Sequence, residues 1–279
     1  MNLKKALVLI FMFLFISLLL YAAPEKKKGK FEIGIHYGSW SVDLISGLFE
    51  DMMGNIMEES FKDAFLEEVQ ADNPDYEEKS YDQEINFDSS GQNYGFDIRW
   101  YPGRKRSFSL GLSVDKSTMR MNFDDTISTL ILEDQITLDT ATFKGNIERA
   151  QFEMNPLSFV LNFRWDIKTD WRIRPYITFG FGIASRTDFE QATISYSFYG
   201  TLEIPGEETE TYEDEDSTTL KEIQEEAEGE DEEMWIPPVI PFIQLHIGVK
   251  GEITNNIHVL LDAGIWDGFL LRGGISYRF

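Results

Sequence analysis

The stretch Ile257 to Phe279, IHVLLDAGIWDGFLLRGGISYRF, alternates apolar and polar or small residues with a period of two. Ile257, Val259, Leu261, Ala263 and Ile265 share one side, and after a break Phe269, Leu271, Gly273, Ile275, Tyr277 and Phe279 share one side again. A β-strand with two unlike faces requires that period. Residues opposite each other in an antiparallel pair point to the same face. A two-residue Asp267-Gly268 turn would pair Trp266 with Phe269 and fails that test. A three-residue loop, Trp266-Asp267-Gly268, pairs Ile265 with Phe269 and passes it, with Gly268 as the left-handed residue. Asp262 then lies opposite Arg272 on the polar face.

Six more stretches share the period. They are Phe31 to Val42, Tyr94 to Tyr101, Phe108 to Asp115, Phe152 to Trp165, Tyr176 to Ala184 with an extension expected through Tyr196 and Phe198, and Ile243 to Glu252. In the fourth, the apolar side changes parity at Asn155-Pro156, which predicts a β-bulge, a place where proline is tolerated. Glu252 is placed opposite His258 by the turn Thr254 to Asn256. Residues 43 to 70 change period: Leu44, Leu48, Met52 and Ile56, then Phe61, Phe65 and Val69, recur every fourth position. They predict one or two amphipathic helices packed on the rest of the protein, with a membrane-surface helix or a lid as rivals. Within residues 116 to 148, Thr126 to Glu133 reads as a short helix and its flanks as strand extensions, a choice the pattern leaves open. Residues 203 to 233 hold sixteen acidic side chains and one base, Lys221. Such a block is expected to be mobile and solvated, with divalent cations as possible partners.

Composition narrows the partners. The net charge of −24 argues against nucleic acid, and the absence of cysteine removes disulfides, thiolate metal sites and a Cys nucleophile. Lys4 and Lys5, the apolar run Ala6 to Leu20 and Tyr21-Ala22-Ala23 have the form of a secretory signal over residues 1–23, with an uncleaved anchor as the rival. No later apolar run is long enough for a membrane-spanning helix, so any further insertion would be by strands.

Eight strands result, joined alternately by long and short links. The expected fold class is all-β, a closed up-and-down antiparallel eight-stranded transmembrane β-barrel over residues 24–279, with long outer loops at 43–90, 116–148 and 200–240 and a helical insert in the first. The even strand count, the alternating links and the last strand, LLRGGISYRF, resemble the small eight-stranded outer-membrane barrels of the OmpA, OmpX and OmpW kind. The resemblance implies an outer-membrane location, lipid as partner, and a C-terminal signal (Ile275, Tyr277, Phe279) read by the barrel insertion machinery. A soluble exported carrier of the lipocalin type is the rival. Tyr37, Tyr94, Trp100, Trp165 and Tyr277, on the apolar face near strand ends, favour the membrane barrel as interfacial girdles.

By parity the lumen receives Glu32, Asp97, Asp115, Asp166, Glu252 and Asp262 with Arg99, Arg164, Lys250, Arg272 and Arg278. Buried charges must be paired, so an ion-pair network that plugs the lumen is expected. His36, His246 and His258 share this face, but His246 and His258 are about 20 Å apart at about 3.4 Å per residue, too far to share an ion. No cofactor, metal site or catalytic group is expected, and the chain is read as a monomer and not an enzyme. The functional expectation is a structural or surface-interaction protein; a narrow conduit or binder for small hydrophobic molecules, as OmpW-like barrels would permit, is the alternative.

Overall fold

The computed structural model describes residues 30–102, 105–167, 171–229, 239–265 and 268–279. The signal segment and the loop residues Trp266 and Asp267 lie outside them. Eight antiparallel strands form a ring: β1 (Phe31–Ser41), β3 (Phe87–Trp100), β4 (Phe108–Phe123), β7 (Leu157–Asp166), β8 (Ile173–Ser185), β11 (Val239–Glu252), β12 (Ile257–Ile265) and β13 (Phe269–Arg278), which pairs back with β1. The closing hairpin has the expected register, with Ile265 opposite Phe269, Asp262 opposite Arg272, and Gly268 at a positive φ of 148°.

The ladder also fixes the stagger of the barrel. A row of paired residues starting at Ile183 runs through Phe159, Val114, Phe96, Ile35, Ile275, Val259 and Gly251 and returns to β8 at Ile173, ten residues from its start. Eight strands with that stagger tilt by about 40° and enclose a cylinder of about 8 Å radius. The outer face is apolar all round. Ile35, Phe96, Leu112, Phe159, Phe181, Ile247, Leu261 and Ile275 are all exposed, and on β12 the outward residues from Ile257 to Ile265 span about 20 Å along the axis at that tilt. Trp100, Trp165 and Tyr277 ring the short-turn end together with Phe31 and Phe279, whose rings lie 6.2 Å apart. Tyr37 and Tyr94 face each other nearer the opposite end, two positions below Ser39 and Gln92.

The change of parity at Asn155-Pro156 is not a bulge. Above it lies β6 (Thr140–Met154), and β4 pairs with β6 and β7 in one unbroken register: Met119 opposite Met154, Lys116 opposite Leu157, with the Ser117 amide bonded to the Pro156 carbonyl at 3.0 Å. The backbone does not slip. What changes is the environment, because Met154 and Met119 point into the barrel at a level where its interior is apolar.

The long links build a second structure on top of the ring. β2 (Tyr76–Glu84), β5 (Thr126–Asp134), β6, β9 (Thr193–Glu203) and β10 (Glu210–Thr219) form a five-stranded extension in the order β2-β5-β6-β9-β10. Helix α1 (Ser46–Asp72), preceded by a single 3-10 turn (Asp43–Ile45), crosses β2 at Gly54, where a Cβ would strike the Gln83 side chain. Phe65 and Val69 of α1 close a core with Tyr76, Leu130, Leu132, Ala141, Phe143 and Leu202; the Phe65 and Phe143 rings stack at 3.5 Å.

Several sequence readings change here. Thr126 to Glu133 is strand, because Thr126, Ser128, Leu130 and Leu132 alternate into the cap core, and the Asp134 carboxylate closes the following turn by accepting the Ile136 and Thr137 amides. The strand expected to continue from β8 through Phe198 instead stops at α2 (Arg186–Glu190), whose first turn is capped by Ser185, and β9 leaves the ring for the cap. The acidic block is ordered over its described part. β10 is held by the backbone ladder to β9, and α3 (Leu220–Gly229) starts at a capping box in which Thr219 and Glu222 bond each other's amides. Those bonds hold the Glu222 carboxyl below its ordinary pKa.

The cap has its own core and is therefore expected to yield separately from the ring. Leu130→Ala, at a fully buried position, should cost about 2–5 kcal/mol locally. Limited proteolysis should then cut the cap faster while the ring persists as an intact fragment; unchanged cap protection would contradict an independent cap core.

Candidate functional site in the barrel lumen

Because alternate residues of every strand point inward, the ring gathers charged side chains from across the whole sequence. All eleven side chains predicted for the lumen project into it. Ten are buried, and Glu252, at the short-turn mouth, is half-buried.

They fall into three groups. At the short-turn end Glu32 of β1 is fully buried and accepts hydrogen bonds from Tyr101 Oη (3.1 Å), Arg278 Nε (2.9 Å) and Lys250 Nζ, with Arg164 Nη1 3.8 Å from its other oxygen. The Arg278 guanidinium also lies 3.8 Å from the centre of the Tyr101 ring, a cation–π contact. At the mouth beside this group, Arg174 pairs with Glu252 and donates to the Trp171 carbonyl at 2.7 Å.

At mid-height on one wall, Arg99 Nε donates to Asp97 at 2.8 Å, and His36 lies 2.8 Å from Asp115 and 3.9 Å from Asp97. Across from them, Asp262 accepts from Arg272 Nε (2.9 Å) and Tyr176 Oη (2.5 Å), with His246 Nδ1 3.2 Å away. Arg164 stands 4.2 Å over the Tyr176 ring and so connects this group to the lower one. The space left between the two walls, lined by His36, Asp97, Arg99, Arg164, Asp262 and Arg272, is a cavity of about 20 Å³. That volume holds about one water molecule.

Asp166 and His258 are buried as well, but make no side-chain hydrogen bond to protein. His258 lies opposite Glu252 and His246 opposite Gly264, in separate groups. Among the described residues no three His, Asp or Glu side chains are disposed to hold a metal ion, in the lumen or in the acidic cap.

Three members of the network are not among the sequence-derived candidates. Tyr101 and Tyr176 sit on the polar side of their strands by parity, and a tyrosine there marks a ring placed to donate to a buried carboxylate and to cover a guanidinium. Arg174 lies two positions before Tyr176 on the same face, so extending that strand toward its turn would have found it.

Toward the cap the interior turns apolar. Trp40, Met119, Val160, Phe242 and Leu270 form one cluster across the bore, and Phe49 of α1 closes it from above, stacked on Phe87 at 5.2 Å. Phe242 reaches across because its neighbour on β8 is Gly182, where a Cβ would strike the ring. The lumen therefore has a charged lower part and an apolar upper layer.

No family model matches the chain, and no curated protein matches it. Solved structures give weak likenesses. The N-terminal β-barrel domain of Pseudomonas aeruginosa OprF matches at 9% identity and a TM-score of 0.35, over 90% of this chain and 99% of that one. The outer membrane protein OprG from Pseudomonas aeruginosa matches at 9% and 0.33, over 91% and 97%, and the translocator domain of the autotransporter NalP from Neisseria meningitidis at 9% and 0.28, over 99% and 98%. At these values they add no detail to the site; the closed eight-stranded antiparallel architecture rests on the chain's own register.

The lower group gives a direct stability test. Glu32→Gln leaves Lys250 and Arg278 buried around a neutral amide, which should cost about 3–5 kcal/mol. Adding Lys250→Met should recover part of that loss. Urea unfolding of detergent-refolded protein measures both; a single variant as stable as the parent would show that Glu32 is not the compensating charge.

Proposed function

We propose that the chain is an outer-membrane β-barrel protein that holds an acidic folded cap at the membrane surface over a closed lumen, with a surface-interaction role and no catalytic or open-pore role. The observation that carries this reading is the polarity of the wall: apolar residues outside through a belt about 20 Å tall on β12, close to the apolar band of about 25 Å in such barrels, and compensated charges inside. A soluble ligand carrier of eight strands needs the reverse, an apolar interior and a polar exterior. The belt's aromatic ends match the places where rings sit at a membrane interface. The outward-facing Ile275, Tyr277 and Phe279 of β13, all exposed, are presented where insertion machinery would read them.

Closure of the lumen is supported twice. An eight-stranded barrel is just wide enough for its own side chains, and here ion pairs fill the lower part while Trp40, Phe242 and Leu270 fill the upper. The lining mixes both signs of charge, unlike an ion-selective pore. Surface interaction is the role left to the cap, which concentrates the negative charge. Residues 43–90 alone carry fifteen acidic side chains against Lys62 and Lys79.

Cell fractionation combined with heated and unheated gel mobility tests the location. The protein is expected in the outer-membrane fraction with heat-dependent mobility, and a soluble protein without it would overturn the reading. Leu261→Arg, on the outer face of β12, should impair insertion by about 2–4 kcal/mol if the residue sits at the midplane. In planar bilayers the refolded protein is expected to give no stable ohmic steps; their appearance would overturn the closed lumen.

A further inference from the structure

The 3-10 turn and the start of helix α1 are apolar on two sides, and only one side has a partner within the protein. Phe49 meets the barrel mouth, Phe65 and Val69 join the cap core, and Met57 between them is buried. Leu44, Leu48 and Met52, spaced four apart, are exposed by 76%, 66% and 48%. The sequence favours packing on the protein over a membrane-surface helix for this stretch; Leu44, Leu48 and Met52 do not pack on it.

Its position points to its occupant. Leu44 lines a hollow of about 680 Å³ whose other wall is the outer face of β11 to β13, including Leu245, Ile247, Ile265, Phe269 and Leu271. Those are belt residues, so the exposed stripe continues the belt where the wall ends. Ser39, Ser41 and Asp43 edge the same hollow and place polar groups at that level. Asp43 is fixed there, its carboxylate accepting from the Ser89 amide at 2.8 Å and the Ser89 hydroxyl at 2.5 Å, and these bonds keep its carboxyl below the ordinary pKa. The helix is thus held at the belt's upper margin with leucines turned out of the protein.

We propose that the 3-10 turn and the first two turns of α1 form an interfacial foot, with Leu44, Leu48 and Met52 seated in the headgroup region of the bilayer, and that the hollow beneath Leu44 is filled by lipid acyl chain. A helix with one apolar face lying along a membrane sinks that face only to the boundary of headgroup and acyl chain. The inference rests on the membrane reading of the barrel and goes beyond it, since the belt alone would leave the cap standing clear of the lipid. The foot would tie the cap to the membrane at a second place and fix its tilt.

The absence of native cysteine makes the test clean. Leu48→Cys, Leu261→Cys and Glu67→Cys are each labelled with an environment-sensitive fluorophore and refolded into phosphatidylcholine vesicles carrying quencher at either a shallow or a deep acyl position. Leu261 reports the belt and Glu67 the exposed side of the far half of α1. The expected result is strong quenching at Leu261, preferential quenching by the shallow quencher at Leu48, and none at Glu67. Quenching at Leu261 with Leu48 behaving like Glu67 would overturn the foot and leave the membrane barrel standing. No quenching at Leu261 would overturn both.

Discussion

A wall one residue thick separates two environments, and the whole molecule follows from that. In a closed ring every strand residue belongs either to the inside or to the outside, with no third choice and no free edge. The backbone satisfies itself around the circle, from the β1–β13 seam back to β8, so side chains are left to answer only to their face. Outside, the answer is aliphatic and aromatic. Inside, it is carboxylates and guanidiniums in number enough to compensate one another, because a radius of about 8 Å leaves no room for water to do so.

The same constraint decides which parts of the fold are legible from the sequence. β1, β3, β4, β8, β11, β12 and β13 stand between unlike media, so their residues contrast at every step, and the registers Asp262–Arg272 and Glu252–His258 follow from counting alone. β5 lacks that contrast: Ile127 and Ile131 alternate with Leu130 and Leu132, and a strand with apolar residues on both sides reads as well for a helix. β10 lacks it for the opposite reason, with Glu213, Asp214, Glu215 and Asp216 in succession; the ladder to β9 and Tyr212 packed on Phe65 order it. The Thr219 to Glu222 box was readable as a helix start and marks α3 without any periodicity.

The parity change at Asn155-Pro156 shows how a correct observation yields a wrong cause. A period-two pattern records where apolar groups are wanted, and a bulge is one way to move them to the other face. Here the demand moves and the chain does not, since the lumen passes from charged to apolar at that height. Parity arguments therefore test a register only while the two media stay the same along the strand. The lumen candidates escaped this difficulty because all eleven lie below the apolar layer, where inside means polar.

Glu32 comes from the first strand of the ring, while Lys250 and Arg278 come from the antepenultimate and last. Arg164, from the middle of the chain, stands 3.8 Å from one oxygen of its carboxylate, but the other oxygen meets Lys250 and Arg278 only where the two ends of the chain come together. A cylinder open at the seam thus lacks the Glu32–Arg278 pair, which joins the first strand to the last. The seam is therefore joined by charge as well as by backbone, and part of the compensation of the lower lumen is made only when the final strand pairs with the first.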